Sequence, residues 1–334
     1  MEWKRLEPMG VGSLLDRSFS VYRQHFKVFF LLVLILFAPL LLLQEVLLSD
    51  VSNMPLFVPE NESNSLEEFF QNRFLGEEAA LTDSTGKILI YLLLFTPISL
   101  LMVYPQMQGA AVLITQGAVY GEPVTLKGAI KQSYSRFWPI VGSTAVYGLI
   151  AIGVVLLIGL VVFLLAMLGV GVGSVFLEDL DTVNPILAIV LFILAGILFI
   201  ALFFLVPGFF LLRWAFYLPV VLIERDGIGI GRSWRLTKGN FWRLLALYFV
   251  LTVIYTMLSA GIQALLVAVF GFSIFGQLLL ILFTCLLTPW MMIVYALAYL
   301  DLKVRHDGTD VEALLQEQGA SEPVPVAGEA DERP

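Results

Sequence analysis

The sequence predicts an all-α polytopic integral membrane protein with about six transmembrane helices, arranged as three repeats of an interfacial helix followed by a hairpin. Three observations carry that prediction. Of 334 residues, 59% are hydrophobic and only 14% charged, with a mean hydropathy of +0.91; soluble domains hold roughly 45–50% apolar and about 25% charged residues. Long stretches lack any Asp, Glu, Lys or Arg. The cations gather on every second connection between those stretches. The net charge of −8 and pI near 4.9 argue against a nucleic-acid partner. The single cysteine, Cys285, lies in an apolar run, which excludes an intrachain disulfide and a cysteine-based metal site.

A helix rises 1.5 Å per residue and the hydrocarbon layer is about 30 Å thick, so about 20 apolar residues make one crossing. The uncharged runs are 28–44, 88–121, 137–177, 182–212 and 244–300. The last holds 57 residues and would extend roughly 85 Å as one helix. It therefore folds back, at Gly271-Phe-Ser-Ile-Phe-Gly276. The six helices are placed near 28–48, 88–115, 138–170, 185–212, 244–269 and 276–300. The leader of residues 1–27 is charged, and no small-x-small cleavage site follows the first run, so the first helix reads as a retained span.

Lys4, Arg5, Arg17, Arg23 and Lys27 precede the first helix, and Lys127, Lys131 and Arg136 lie between the second and third. Arg213, Arg225, Arg232, Arg235, Lys238 and Arg243 lie between the fourth and fifth, and Lys303, Arg305 and Arg333 follow the sixth. Only Arg73 and Lys87 fall on the other side. This asymmetry places both termini in the cytoplasm. Trp138, Trp214, Trp234 and Trp242 share that side, where an indole suits the headgroup layer.

The basic segments share a pattern. Leu15, Phe19, Tyr22 and Phe26 stand at i, i+4, i+7 and i+11; so do Leu126, Ile130, Ser133 and Phe137, and again Ile230, Trp234, Thr237 and Phe241. At about 100° per residue each set forms one stripe, with the cations on other faces. Each segment reads as an amphipathic helix in the interface, and units of about 9–119, 120–223 and 224–300 repeat within a 28–300 membrane domain. Pro105 and Pro207 occupy similar places ahead of Phe137 and Phe241 and mark kinks in the even-numbered helices. The repeats are parallel, unlike the inverted repeats of many transporters.

The extracytoplasmic loop 49–87 is acidic, and Leu66, Phe69, Phe70 and Phe74 in it fit the stripe of a small surface helix. No Asp-x-Asp calcium spacing occurs there, and Asn61-Glu-Ser63 matches a glycosylation sequon that matters only in a eukaryotic secretory route. Seven glycines, Gly142, Gly148, Gly153, Gly159, Gly169, Gly171 and Gly173, suggest that the third helix packs centrally. The tail 301–334 is cytoplasmic and ends in a Pro-, Glu- and Ala-rich stretch expected to be largely disordered.

No catalytic set emerges. His25 and His306 form no ligand pair, Glu45 is the one carboxylate within the spans, and Asp226-Gly-Ile-Gly-Ile-Gly-Arg232 lacks the spacing of a phosphate-binding loop. The expectation is therefore no enzyme, no cofactor and no metal.

The opening Pro8-Met-Gly-Val-Gly-Ser-Leu-Leu-Asp-Arg-Ser-Phe with Tyr22-Arg and Phe26, the later Arg232-Ser-Trp-Arg-Leu-Thr-Lys-Gly-Asn-Phe-Trp-Arg243, and the exit Tyr299-Leu-Asp-Leu-Lys-Val-Arg-His-Asp-Gly308 resemble the membrane domain found ahead of some bacterial glycerophosphoryl diester phosphodiesterases. The resemblance spans roughly residues 6–310 and is to the standalone form of that domain. In that family, catalysis belongs to a separate barrel of about 250 residues that begins with a His-Arg pair. No His-Arg pair occurs here, and 34 residues follow Leu300.

The reading is a non-catalytic scaffold or regulatory partner in envelope or lipid-related processes. The alternative is a transporter, channel or lipid-translocating protein. The expected partners are anionic headgroups of the bilayer and another membrane protein or a second copy, contacted through Arg17, Arg23, Lys27, Arg232, Trp234, Arg235, Lys238, Trp242 and Arg243. Reporter fusions at residue 80 and after residue 305 test the orientation: the first is expected outside the cytoplasm and the second inside, and a cytoplasmic residue 80 overturns the charge argument.

Overall fold

A computed structural model describes residues 8–48, 56–57, 85–178, 185–271 and 273–308. Most of the acidic loop, with its sequon and its Leu66, Phe69, Phe70 and Phe74 stripe, lies outside the described residues, as do Asp179, Asp181 and the tail from residue 309.

A backbone surrounded by lipid has no water to bond to, and every regular element among the described residues is accordingly helical. The amphipathic α1 (Val11–Gln24) leads into α2 (Phe26–Leu36) and α3 (Ala38–Leu48), which form the first span with a break at Phe37. The second span is built from α4 (Thr85–Ile90), α5 (Thr96–Ile98) and α6 (Tyr104–Tyr120), joined by π turns at Tyr91–Phe95 and Ser99–Val103. Each π turn runs up to within two residues of a proline, Pro97 or Pro105, whose missing N–H the local widening accommodates.

The short α7 (Leu126–Tyr134) precedes the third span, α8 (Phe137–Glu178). The fourth begins as α9 (Pro185–Trp214), with Pro207 inside, and after a break resumes as α10 (Tyr217–Pro219) and a π turn at Val220–Glu224. Finally α11 (Ile230–Leu236) introduces α12 (Phe241–Phe270) and α13 (Ile274–Asp307). Six helical stretches are long and apolar enough to cross a bilayer. The expected reversal between the last two occurs at Gly271, with φ 56°, and the Ser273 hydroxyl caps α13 by accepting the Gly276 N–H at 3.2 Å.

Burial concentrates at one end, hereafter the basic end because it carries α1, α7 and α11. There α13 contributes Ile293, Leu297 and Tyr299, α6 contributes Met107, Ala110 and Ile114, α2 contributes Phe29, Leu32 and Val33, and α12 contributes Leu244, Leu247 and Leu251. Farther along, Leu149, Leu156 and Leu157 on α8 and Phe249, Met257 and Leu265 on α12 are exposed, as residues that face acyl chains must be.

The three amphipathic helices dock in a repeating way. α7 packs on α6, α11 on α9, and α1 on α13, so each lies against an even-numbered span and the first unit closes on the last. In each case a hydroxyl reaches a span carbonyl. Tyr22 donates to Leu286 O at 2.6 Å, Ser133 to Gln106 O at 2.9 Å, and Ser233 to Arg213 O at 2.8 Å. Ser18, Ala129 and Ser233, which occupy one position of the repeat, are all fully buried. Ser18 accepts the Trp290 indole N–H at 2.9 Å, and Ser233 accepts the Phe216 N–H at 3.1 Å across the break after α9.

Three expectations gain detail. The face of α1 that meets protein is Leu14, Ser18 and Val21, whereas Phe19 of the proposed stripe is 57% exposed and Phe26 is exposed too. Leu15 and Tyr22 of the stripe pack at the edge of that face. Gly142, Gly148, Gly153 and Gly159 of α8 make no close approach within the chain: a methyl on any of them would meet nothing within 4 Å, while the side-chain surroundings of Gly169, Gly171 and Gly173 lie outside the described residues. Close approach occurs instead in α6, where a methyl on Gly109 would lie 2.7 Å from Ser133 Oγ and one on Gly117 would overlap Val124. The sixth helix also continues past residue 300 to Asp307, so the first residues of the expected tail are helical, and Asp301 and Leu302 are buried.

Gly117→Ala is expected to destabilise the protein by about 1–3 kcal/mol through overpacking, while Gly153→Ala is expected to be neutral or slightly stabilising. Thermal melts of both variants in detergent check the contrast, and equal melting temperatures would contradict this packing.

Candidate functional site at the basic end

The last turns of α13 leave the apolar composition of the span and carry Tyr299, Asp301, Lys303, Arg305 and Asp307. Asp301 has no exposed surface. Its Oδ1 accepts the backbone N–H of Met9 at 2.7 Å, and its Oδ2 accepts from Arg305 Nε at 3.0 Å and from Arg243 Nη2. The same two arginines turn their other nitrogens to the Met9 carbonyl, Arg243 Nη1 at 2.7 Å and Arg305 Nη2 at 2.8 Å. Both backbone groups of Met9 are thereby held, and Arg17 Nη1 approaches the Met9 sulfur at 3.6 Å. A carboxylate withdrawn from water this far requires such matched donors, since an unpaired charge there costs several kcal/mol.

A second cluster lies along the same helix end. Glu224, closing its π turn, accepts from Arg232 Nε at 2.9 Å and from the Tyr299 hydroxyl at 2.8 Å, with Lys303 Nζ at 3.7 Å. Arg232 Nη2 then donates to Asp307 Oδ1 at 2.7 Å. Burial acts to lower the Arg232 pKa, and the hydrogen bonds to Asp307 and Glu224 more than offset it, so the net direction is upward. At Arg17 burial prevails over the opposing influence of Tyr120, and the pKa falls. A third contact joins α11 to the fourth span: the Arg213 guanidinium stacks 3.7 Å from the Trp234 ring and donates to the Trp234 carbonyl at 3.1 Å.

The nine residues expected to contact headgroups or partners thus divide. Arg232 and Arg243 are turned inward and paired, Arg17 lies half-buried beside Met9, and Trp234 is the stacking surface for Arg213. Arg23, Lys27, Arg235, Lys238 and Trp242 remain exposed. Sequence reasoning passed over Asp301, Glu224 and Arg213. The i, i+4 spacing of Asp301 and Arg305 just past an apolar run was the available signal for the first. Nothing in the order of residues marks Glu224 as the partner of Arg232 and Tyr299.

Two apolar cavities open within the spans. One of about 710 Å³ lies between the second and third spans, flanked by Pro97, Pro105 and Ile152, with Tyr217 donating to Thr144 Oγ1 at 2.9 Å and Tyr295 to Ala215 O at 2.8 Å on its wall. The other, of about 430 Å³, shares Tyr147 and Ala215 and reaches Tyr248 and Phe249 of α12. Among the described residues, no three His, Cys, Asp or Glu side chains converge to hold a metal ion. The side chains gathered at the basic end form ion pairs and an arginine stack, an arrangement suited to holding the helix ends together and to presenting charge. No protein-family model, curated protein or solved structure matches the chain.

Asp301→Asn is expected to cost about 3–5 kcal/mol, because it leaves two arginines facing a neutral amide. Lys303→Gln, at a 3.7 Å and partly exposed pair, is expected to cost under about 1 kcal/mol. Melting temperature and the rate of tryptic cleavage after Arg17 report both. Equal sensitivity of the two variants would remove Asp301 from its central place.

Proposed function

We propose that the chain is a non-catalytic, multi-pass protein of the bacterial inner membrane with both termini cytoplasmic, and that it serves as a scaffold or regulatory partner in envelope or lipid-related processes. Its working surface is the basic end. One observation carries the reading: Arg23, Lys27, Arg235 and Lys238 are exposed and make no ion pair among the described residues, although carboxylates are close enough to pair Arg232, Arg243 and Arg305. Trp138 and Trp242, 75% and 69% exposed, lie at the same end and suit a headgroup layer.

The internal pairs hold the helix ends, and the unpaired cations form a rim directed at whatever lies beside them. Near an anionic leaflet each such cation contributes about 1 kcal/mol, so four together favour anionic over neutral lipid by roughly a thousandfold. The resemblance to the phosphodiesterase-associated membrane domain supports a lipid-linked setting. Its quoted segments supply Arg243 and Asp301 to one ion-pair cluster and Arg232, Tyr299 and Asp307 to the other.

A second reading, a lipid-translocating protein or transporter, is favoured by the 710 Å³ cleft beside the π turns of the second span. The close packing of Ile293, Leu297 and Tyr299 at the centre of the basic end weighs against a continuous polar path.

Replacing Arg23, Lys27, Arg235 and Lys238 together by Gln is expected to leave insertion and melting temperature unchanged and to reduce copurifying anionic phospholipid at least tenfold. Mass spectrometry of lipid retained after a detergent wash reads the effect. Undiminished retention would discard the rim as the contact surface.

A further inference from the structure

A third cavity, of about 210 Å³, lies at the basic end among α6, the α7–α8 link and the π turn Val220–Glu224. Its character differs from the two apolar clefts. Gln116, Gln132, Ser135, Arg136 and Arg225 line it, and none of its lining residues is a carboxylate.

The two arginines reach it from different elements. Arg136 follows α7, and its Nη1 donates to the Val221 carbonyl at 3.1 Å, which fixes the guanidinium across the cavity while leaving its other N–H groups available. Arg225 follows the π turn and is the only non-glycine residue with a positive φ among the described residues, at φ 59° and ψ 23°. An L side chain is disfavoured in that left-handed region, and glycine is the residue that adopts it without strain. Here an arginine is held there instead, with its side chain at the cavity.

Neither arginine forms an ion pair among the described residues. Glu224, the neighbour of Arg225 in sequence, is engaged by Arg232, Tyr299 and Lys303. Two guanidinium groups lining one small concavity whose walls hold no carboxylate give it a positive potential that favours an anion. The Ser135 hydroxyl is committed to the Gln132 carbonyl at 2.7 Å. The donors on offer are therefore two guanidinium forks and two carboxamides. Planar forks match the tetrahedral oxygens of phosphate better than any single-point cation does. The cavity, at about 210 Å³, has room for a phosphate group with some solvent. Trp138, two residues beyond Arg136, is among the most exposed aromatic side chains and marks the level at which lipid phosphates lie.

We propose that this cavity binds the oxyanion of a phosphate group, clamped between Arg136 and Arg225. The proposal does not depend on the exposed rim described above, which uses other residues. The chemistry is the same whether the phosphate is free or carried by a phosphodiester lipid headgroup, and two arms of one experiment separate these sources. In the first, full-length protein in detergent is titrated calorimetrically with inorganic phosphate. In the second, protein in nanodiscs containing phosphatidylglycerol is extracted, washed and analysed for retained lipid.

Both arms use Arg225→Gly, which removes the guanidinium and suits the backbone, and Arg136→Gln. The expected result is an approximately tenfold or greater loss of phosphate affinity or of retained phosphatidylglycerol in each variant, with Arg225→Gly melting no lower than the parent. Arginine dependence in the phosphate titration assigns the site to free phosphate, and dependence in the lipid arm alone assigns it to a headgroup. Binding that is absent, or insensitive to Arg225→Gly, in both arms overturns the proposal.

Discussion

A helix that breaks inside or at the edge of a bilayer leaves carbonyls with no partner, and the amphipathic α11 sits where such a carbonyl is. The break is at the end of α9, where the turn at Ala215 and Phe216 frees Arg213 O for the Ser233 hydroxyl and Ser233 in turn accepts the Phe216 N–H. Ser133 on Gln106 O and Tyr22 on Leu286 O pin the other two docking helices to span carbonyls as well, there within continuous helices. At the end of α9 the break in the span and Ser233 on the docking helix complement each other. Once three such helices are pinned, their cations are delivered to a single end, and the ion-pair clusters, the arginine stack and the two-arginine cavity all form within their reach.

Charge at that end has two destinations. Arg243, Arg305 and Arg232 are held by Asp301, Glu224 and Asp307, all of which lie on α13 or on the π turn after Pro219. Arg23, Lys27, Arg235 and Lys238 face outward. The separation follows from where the carboxylates are, since cations of similar sequence neighbourhood, such as Arg232 and Arg235, end up on opposite sides of it. A count of positive residues does not by itself separate the paired cations from the exposed ones.

The crossings were legible because the length of an uncharged run is a property of the chain alone; the reversal at Gly271, enforced by a 57-residue run, follows directly. The faces of the helices were not. In water an apolar stripe points to the core, but in a bilayer lipid is as apolar as a neighbouring helix, so Leu15, Phe19, Tyr22 and Phe26 do not reveal which side meets protein. Ser18, a small polar residue, turns out to mark it. Four glycines of α8, Gly142, Gly148, Gly153 and Gly159, have no neighbour within the chain: glycine permits close approach, and only the presence of a neighbour, as at Gly109 and Gly117, makes use of it. For the candidate site, the cations were visible individually, whereas their sorting by Asp301 and Glu224 depends on contacts between distant segments that no local pattern encodes.

The hold of Asp301 on Met9 joins residues 292 apart in the chain. A ribosome adding about 5–20 residues per second makes α1 roughly 15–60 s before the seat that will receive it exists. During that interval Leu14 and Val21 have no α13 to cover them, and the membrane surface is the apolar phase at hand. Assembly thus ends where synthesis began: the first helix is a waiting part, released from the lipid surface and locked only when the last two turns of the sixth span emerge with their carboxylate.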